Sequence, residues 1–306
     1  MTSSTRRYLP YLALFIGVLA LAVSPFFVRW STEAPGPVFA FYRTSLAALF
    51  LLPFFLRSVL KSPMHLSREV LLFPILGGLS SSVDLILWAT SIHYTRVANA
   101  TLLGNTAPLW VALVAFWIFR ERLRKVFWTG LGLALVGAAV VLGGDLLLHP
   151  TLGLGDLMAL GSSLFYAGYY LAAQRGRERL PTLRYIWLMN FCSSLALLAF
   201  VLASGMPLSG YNPTTYLAFL GAALVTQVIG YFSIIYALGH LPASIVSPTL
   251  IGQPVLAALL AIPLVGEHLL PNQWIGGLVV LAGIYLVHKS QEPSEVVPAP
   301  AASILQ

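Results

Sequence analysis

Charge is scarce in this chain. Asp, Glu, Lys and Arg make up 9% of its 306 residues, against roughly a quarter in soluble domains. A solvated globular surface is thereby excluded. Cysteine is nearly absent too: Cys192 stands alone in an apolar run, so no internal disulfide is possible and the redox compartment stays open. Reactive constellations are also missing. There is no Asp-rich prenyl-diphosphate motif, no HExxH, no GxSxG and no Cys/His metal spacing, and the six histidines are scattered mostly at the ends of apolar runs. A membrane-embedded enzyme therefore has no support; neither cofactor nor metal is expected, and nothing resembles a channel's selectivity element. Long hydrophilic connections are lacking as well, which leaves no room for a separate soluble domain. The net charge of +7 would suggest an acidic partner in a soluble protein. Here the basic residues fall in loops on one side of a membrane, and no nucleic-acid partner is expected.

Apolar residues are abundant, at 58%, with a mean hydropathy of +0.85. A helix needs about 20 mostly apolar residues to cross the hydrocarbon core. That rule predicts ten spans, at 9–29, 38–57, 69–92, 97–119, 127–144, 154–174, 183–204, 213–238, 243–265 and 273–288. The basic, then apolar, N-terminus mimics a signal peptide. It has no clear cleavage site and more spans follow, so it reads as a retained first helix. Residues 291–306, rich in Pro and Ala, read as a disordered tail.

Placing the N-terminus in the cytoplasm puts fourteen Lys and Arg on the inner side and only Arg29 and Arg96 outside, with Arg43 left inside a span. This is a strong positive-inside bias. An offset of 146 overlays the halves: Pro108 meets Pro254, Glu121 meets Glu267, Trp128 meets Trp274, Gly130 meets Gly276 and Gly137 meets Gly283. Five spans per half is an odd number, so the second copy is inverted. "PLWVALVAFWIFRE" at 108–121 then ends in the cytoplasm and runs on into "RLRK", whereas its copy "PVLAALLAIPLVGE" at 254–267 ends outside without arginines. The expected fold is an all-α membrane protein with ten transmembrane helices in two inverted five-helix repeats and both termini cytoplasmic. Residues 1–146 form the first repeat and 147–290 the second. Inverted repeats belong to secondary transporters that rock about a site near the midplane.

The segments "LAVSPFFVRW", "FAFYRTSLAAL" and "YTRVANATLL…P…RE…G…G", with their counterpart "LPASIVSPTL…P…GE…G…G", resemble the drug/metabolite transporter superfamily, specifically the EamA-type ten-helix bacterial permeases. The resemblance covers nearly the whole chain. It implies a bacterial inner-membrane exporter of amino acids or other small metabolites, driven by protons or by exchange. A flippase or carrier of a lipid-linked or nucleotide-type substrate is the alternative in the same fold.

Asp84 is the sharpest single signal, roughly 12 Å inside span three at 1.5 Å per residue. Ionisable groups at such depth are functional candidates by default. Arg43 enters span two from the outside and lies roughly 8 Å deep, so the two could pair, either as a structural ion pair or as a carboxylate clamp with a protonatable partner. Trp88 shares the face of Asp84, and Gln227 and Tyr231 have the same spacing in span eight. Tyr166, Tyr169 and Tyr170 in span six, Asn99 and Asn105 in span four, and Gln253 in span nine complete a polar and aromatic set. Such a set fits a small-molecule pocket, although polar residues also bind membrane helices to one another. Ser24 precedes Pro25, which frees backbone carbonyls in span one. Pro108 and Pro254 mark the repeat. Glu121 and Glu267 sit at helix ends where the dipole opposes them, in structural or gate-latching roles. The glycine pairs of spans five and ten predict close packing or a homodimer contact.

Overall fold

A computed structural model of the chain describes residues 3–63, 67–95, 97–142, 153–266 and 269–290. Among the described residues there are fourteen α-helices, one π segment and one 3-10 turn, and no strand. In chain order the helices are α1 (Ser3–Ala22), α2 (Ser24–Trp30), α3 (Gly36–Lys61), α4 (Arg68–Ser91), α5 (Val97–Gly104), α6 (Ala107–Trp117), α7 (Lys125–Val141), α8 (Leu154–Arg177), α9 (Thr182–Ala203) and α10 (Pro213–Gly221). The π segment Ala222–Tyr231 leads into α11 (Phe232–Leu238), followed by α12 (Ala243–Thr249), the 3-10 turn Leu250–Gly252, α13 (Gln253–Val265) and α14 (Pro271–Ser290).

Seven helical stretches are long and apolar enough to cross a membrane: Tyr8–Trp30, Gly36–Lys61, Arg68–Ser91, Asn99–Trp117, Thr182–Ala203, Pro213–Leu238 and Ala243–Leu264. Helix α7 is a shorter apolar helix. Helices α8 and α14 have the length but are less uniformly apolar, the first through its serines and tyrosines and the second through its polar ends. Leu60, Leu164, Leu217 and Leu278 are among many large apolar side chains on the outside. Such a surface suits hydrocarbon rather than water.

Three prolines, Pro25, Pro108 and Pro254, stand at breaks in the spans, whereas Pro53 and Pro74 lie inside unbroken helices. Pro108 and Pro254 open α6 and α13 directly after interruptions at the same position of each half. In span one, α1 ends at Ala22 and α2 resumes at Ser24–Pro25. Proline has no N–H to give to the carbonyl four residues back, which here is that of Leu21. Gln253 Nε2 donates to this carbonyl at 3.2 Å, so the start of α13 satisfies an acceptor orphaned in α1. Gln253→Leu is expected to lower the melting temperature in detergent by the cost of an unsatisfied buried carbonyl, about 1–3 kcal/mol. Adding Pro25→Ala should recover most of that loss by restoring the intrahelical bond. An equal loss in both backgrounds would sink this account.

Packing follows the residues that lack bulk. A Cβ at Gly130 would fall 2.7 Å from the Gly283 carbonyl oxygen, and one at Gly137 would fall 2.7 Å from that of Gly276. Helices α7 and α14 therefore run antiparallel with their backbones in contact, and an offset of 146 exchanges the two contacts. These glycine faces meet inside one chain, so they are not the surfaces of a homodimer. Helices α4 and α8 also run antiparallel, tied at one end by the Thr95 hydroxyl to Asp156 (2.6 Å) and at the other by Arg179 to Glu69 (2.6 Å). Arg184 in the first turn of α9 donates to the carbonyls of Ser58 and Ser62 at 2.6 and 2.7 Å, capping the last turn of α3. Helix α9 packs on both α3 and α4, while α1 packs on the π segment and α11.

Candidate functional site

Helix α8 builds the wall of the site. Ser162, Tyr166, Tyr169 and Tyr170 recur at helical spacing and so share one face. Ring centroids lie 4.6 Å apart for Tyr166–Tyr170, 5.1 Å for Tyr169–Tyr170 and 6.0 Å for Tyr166–Tyr169. The π segment adds Tyr231, edge-on to Tyr169 at 5.7 Å. Helix α3 brings Arg43, whose guanidinium carbon stands 5.8 Å from the centre of the Tyr231 ring, inside the range of a cation–π contact. Helix α4 brings Asp84, whose Oδ1 accepts the Ser162 hydroxyl at 2.6 Å.

Electrostatically the cluster is incomplete. Arg43 is only 7% exposed, and among the described residues its Nε has no hydrogen-bond partner. Asp84 is near enough to act on Arg43 through space, yet among the described residues no ion pair joins them. The expected pairing is thus loose: the serine holds the carboxyl while the guanidinium faces tyrosine rings. Guanidinium stays charged in proteins, and a buried charge without a partner costs several kcal/mol. Among the described residues the Tyr169 hydroxyl is also buried without a partner. Asp84, Tyr166 and Tyr231 are half-buried, so accessible space reaches the cluster. Such an arrangement can receive an anionic group at Arg43, hydroxyl contacts from the tyrosines and an apolar body along their rings.

Other expected residues lie elsewhere. Trp88 is half-buried one turn beyond Asp84 and packs towards Gly104, at the break between α5 and α6. Asn99 is buried in α5, which packs on α8; among the described residues its side chain bonds none of the cluster. Asn105 bonds the Thr101 carbonyl of its own helix at 2.9 Å, and Gln253 is spent on Leu21. Glu121 accepts the Ser244 hydroxyl at 2.7 Å. It thus links the end of span four to the start of span nine. Arg120 beside it takes a left-handed φ of 55°, uncommon outside glycine, which turns the chain sharply out of α6. Glu267 lies outside the described residues. Gln227 is buried at 1% exposure and its Nε2 donates to Asn190 Oδ1 at 2.7 Å. Sequence reasoning missed Ser162 and Asn190. Ser162 was signalled by standing four residues before Tyr166, and Asn190 by being a lone amide within an apolar run.

A many-span helical protein with proline-broken helices and an unpaired cation against an inner tyrosine wall is organised to take a solute through a membrane. The chain belongs to the EamA-like transporter family, which matches residues 9–143 and again 153–288. An uncharacterized transporter of Archaeoglobus fulgidus is 26% identical over 299 residues, covering 92% of this chain and 98% of that protein. One of Clostridium kluyveri is 22% identical over 81% of both chains. A Salmonella typhimurium protein named a probable amino-acid metabolite efflux pump is 26% identical over 58% of this chain and 62% of its own length. A solved crystal structure superposes with a TM-score of 0.75 at 18% identity, over 93% of this chain and 99% of that one, which shows a shared fold.

Proposed function

We propose that the protein is a secondary transporter that exports a small carboxylate-bearing metabolite of the amino-acid type by alternating access across a bacterial plasma membrane. In this reading the chain crosses ten times, with α7, α8 and α14 joining the seven longer apolar stretches, and both termini are cytoplasmic. Its halves, 1–146 and 147–290, are inverted copies. The antiparallel α7–α14 contacts, exchanged by the repeat offset, support that relation.

Buried Arg43, lacking a protein counter-ion in contact, carries the proposal. A substrate carboxylate would supply the missing charge, and the bidentate geometry of guanidinium suits it. Asp84 is the protonatable partner. The name of the Salmonella relative supports both the amino-acid class and the outward direction. A lipid-linked cargo would need a wide lateral opening; the tyrosine wall enclosed by α3, α4, α8 and the π segment favours a small solute.

Proteoliposomes holding the purified protein should take up at least one labelled amino acid faster when the lumen is acidic, through exchange for protons. Asp84→Asn is expected to abolish this pH-gradient dependence while leaving folded yield unchanged. Parallel loss of folded protein and uptake would reassign the Asp84–Ser162 contact to the scaffold. Uptake of no amino acid by the wild type would end the substrate assignment.

A further inference from the structure

Asn190 and Gln227 form a buried amide pair between α9 and the π segment. Their exposures are 0% and 1%, and the bond uses Gln227 Nε2 and Asn190 Oδ1. Among the described residues, Asn190 Nδ2 and Gln227 Oε1 are left without partners. The leftover set does not depend on which way the amides are turned. If both are flipped, one amide NH2 and one carbonyl still remain unspent. Polar groups buried at that depth ordinarily find partners, and simple glue between helices would need only the one bond.

Position ties the pair to the cationic site. Gln227 precedes Tyr231 by four residues, and i→i+5 winding keeps such residues nearly in line along one face. The Tyr231 ring is the one that meets Arg43. Helix α9 packs on both α3, which carries Arg43, and α4, which carries Asp84. Short π segments within α-helices often mark functional sites.

Resting on the carboxylate reading of Arg43, we infer that Asn190 and Gln227 are a second, uncharged recognition point for the same substrate. One free donor and one free acceptor on a bonded pair are the complement of a carboxamide, which can pair with both at once. Gln227 and Tyr231 lie about one helical turn apart, on the order of 5 Å, and Arg43 stands 5.8 Å from the Tyr231 ring centre, so the substrate would carry its carboxamide on a short aliphatic chain leading away from its carboxylate. The substrate class narrows to amino acids or related carboxylates with a terminal carboxamide.

The test compares binding of labelled glutamine and norleucine to the purified wild type and variants. The two ligands share a carboxylate and ammonium and differ in the carboxamide. Wild type should prefer glutamine by ~10-fold or more, the worth of a buried hydrogen-bonded pair. Asn190→Leu should erase the preference while retaining norleucine binding. The near-isosteric Asn190→Asp, which replaces the donor by an acceptor, should also lose it and guards against misfolding of the leucine variant. Arg43→Met should weaken both ligands alike. An unchanged preference in folded Asn190 variants overturns the second recognition point and leaves the Arg43 reading standing. Binding of neither ligand by the wild type overturns both.

Discussion

Gly137→Val is expected to leave almost no folded protein, whereas Gly132→Ala on the same helix should be accepted without loss. A Cβ at Gly137 would stand 2.6 Å from the Val280 amide nitrogen and 2.7 Å from the Gly276 carbonyl oxygen. Both neighbours are backbone, so no side chain can rotate away, and α7 must part from α14. Overpacking a core ordinarily costs about 1–3 kcal/mol. Separating two helices along their whole contact should exceed the upper figure and consume much of a stability of roughly 5–15 kcal/mol. At Gly132 a Cβ meets nothing within 4 Å, and alanine favours the helix by about 1 kcal/mol over glycine. Folded yield and melting temperature after detergent extraction read both changes. Gly283→Val should match Gly137→Val, because the repeat offset relates them and a Cβ at Gly283 would also meet backbone, Ala134 N at 2.5 Å. A normal yield from either valine variant would contradict the packing.

Those glycines were legible because their spacing of seven in both halves places them on one helix face. The prolines that open α2, α6 and α13 were legible for a similarly local reason, a missing N–H that leaves a carbonyl unspent, although Pro53 and Pro74 lie inside unbroken helices. Tertiary pairings had no such local mark. Gln253 bonds a carbonyl 232 residues away, and only the fold shows that Pro25 created the vacancy it fills. Arg43 and Asp84 were recognisable as buried charges. Their side chains nevertheless stop short of each other, because Ser162 takes the carboxylate and Tyr231 the cation, and which neighbours compete for a charge depends on helix rotation. The π segment was invisible, since "AALVTQVIGY" reads as ordinary apolar helix; it packs against α1 and α3. Gln227 within it bonds Asn190.

Arg43→Met should move transport and stability in opposite directions. Losing one member of a desolvated charge pair costs binding about 2–5 kcal/mol, so substrate affinity and uptake should fall by roughly 30- to 5,000-fold. Without substrate, however, the guanidinium is a buried charge with no counter-ion in contact. An apolar residue of similar length removes that desolvation cost, which is several kcal/mol for a buried ion. The variant's melting temperature should therefore equal or exceed that of wild type. Arg43→Lys should lie between them in function, because an ammonium keeps the charge but not the planar fork that grips a carboxylate. Asp84 acts on the cation only through space, so Asp84→Asn should leave most carboxylate affinity in place while removing proton dependence. If Arg43→Met instead melts lower and loses transport in proportion, the arginine's contact with the Tyr231 ring is holding α3 to the π segment. The site for the anionic group must then be sought elsewhere in the bundle. A stable, inactive methionine variant has no such explanation, because a purely structural cation cannot be removed at a gain in stability and a loss of cargo.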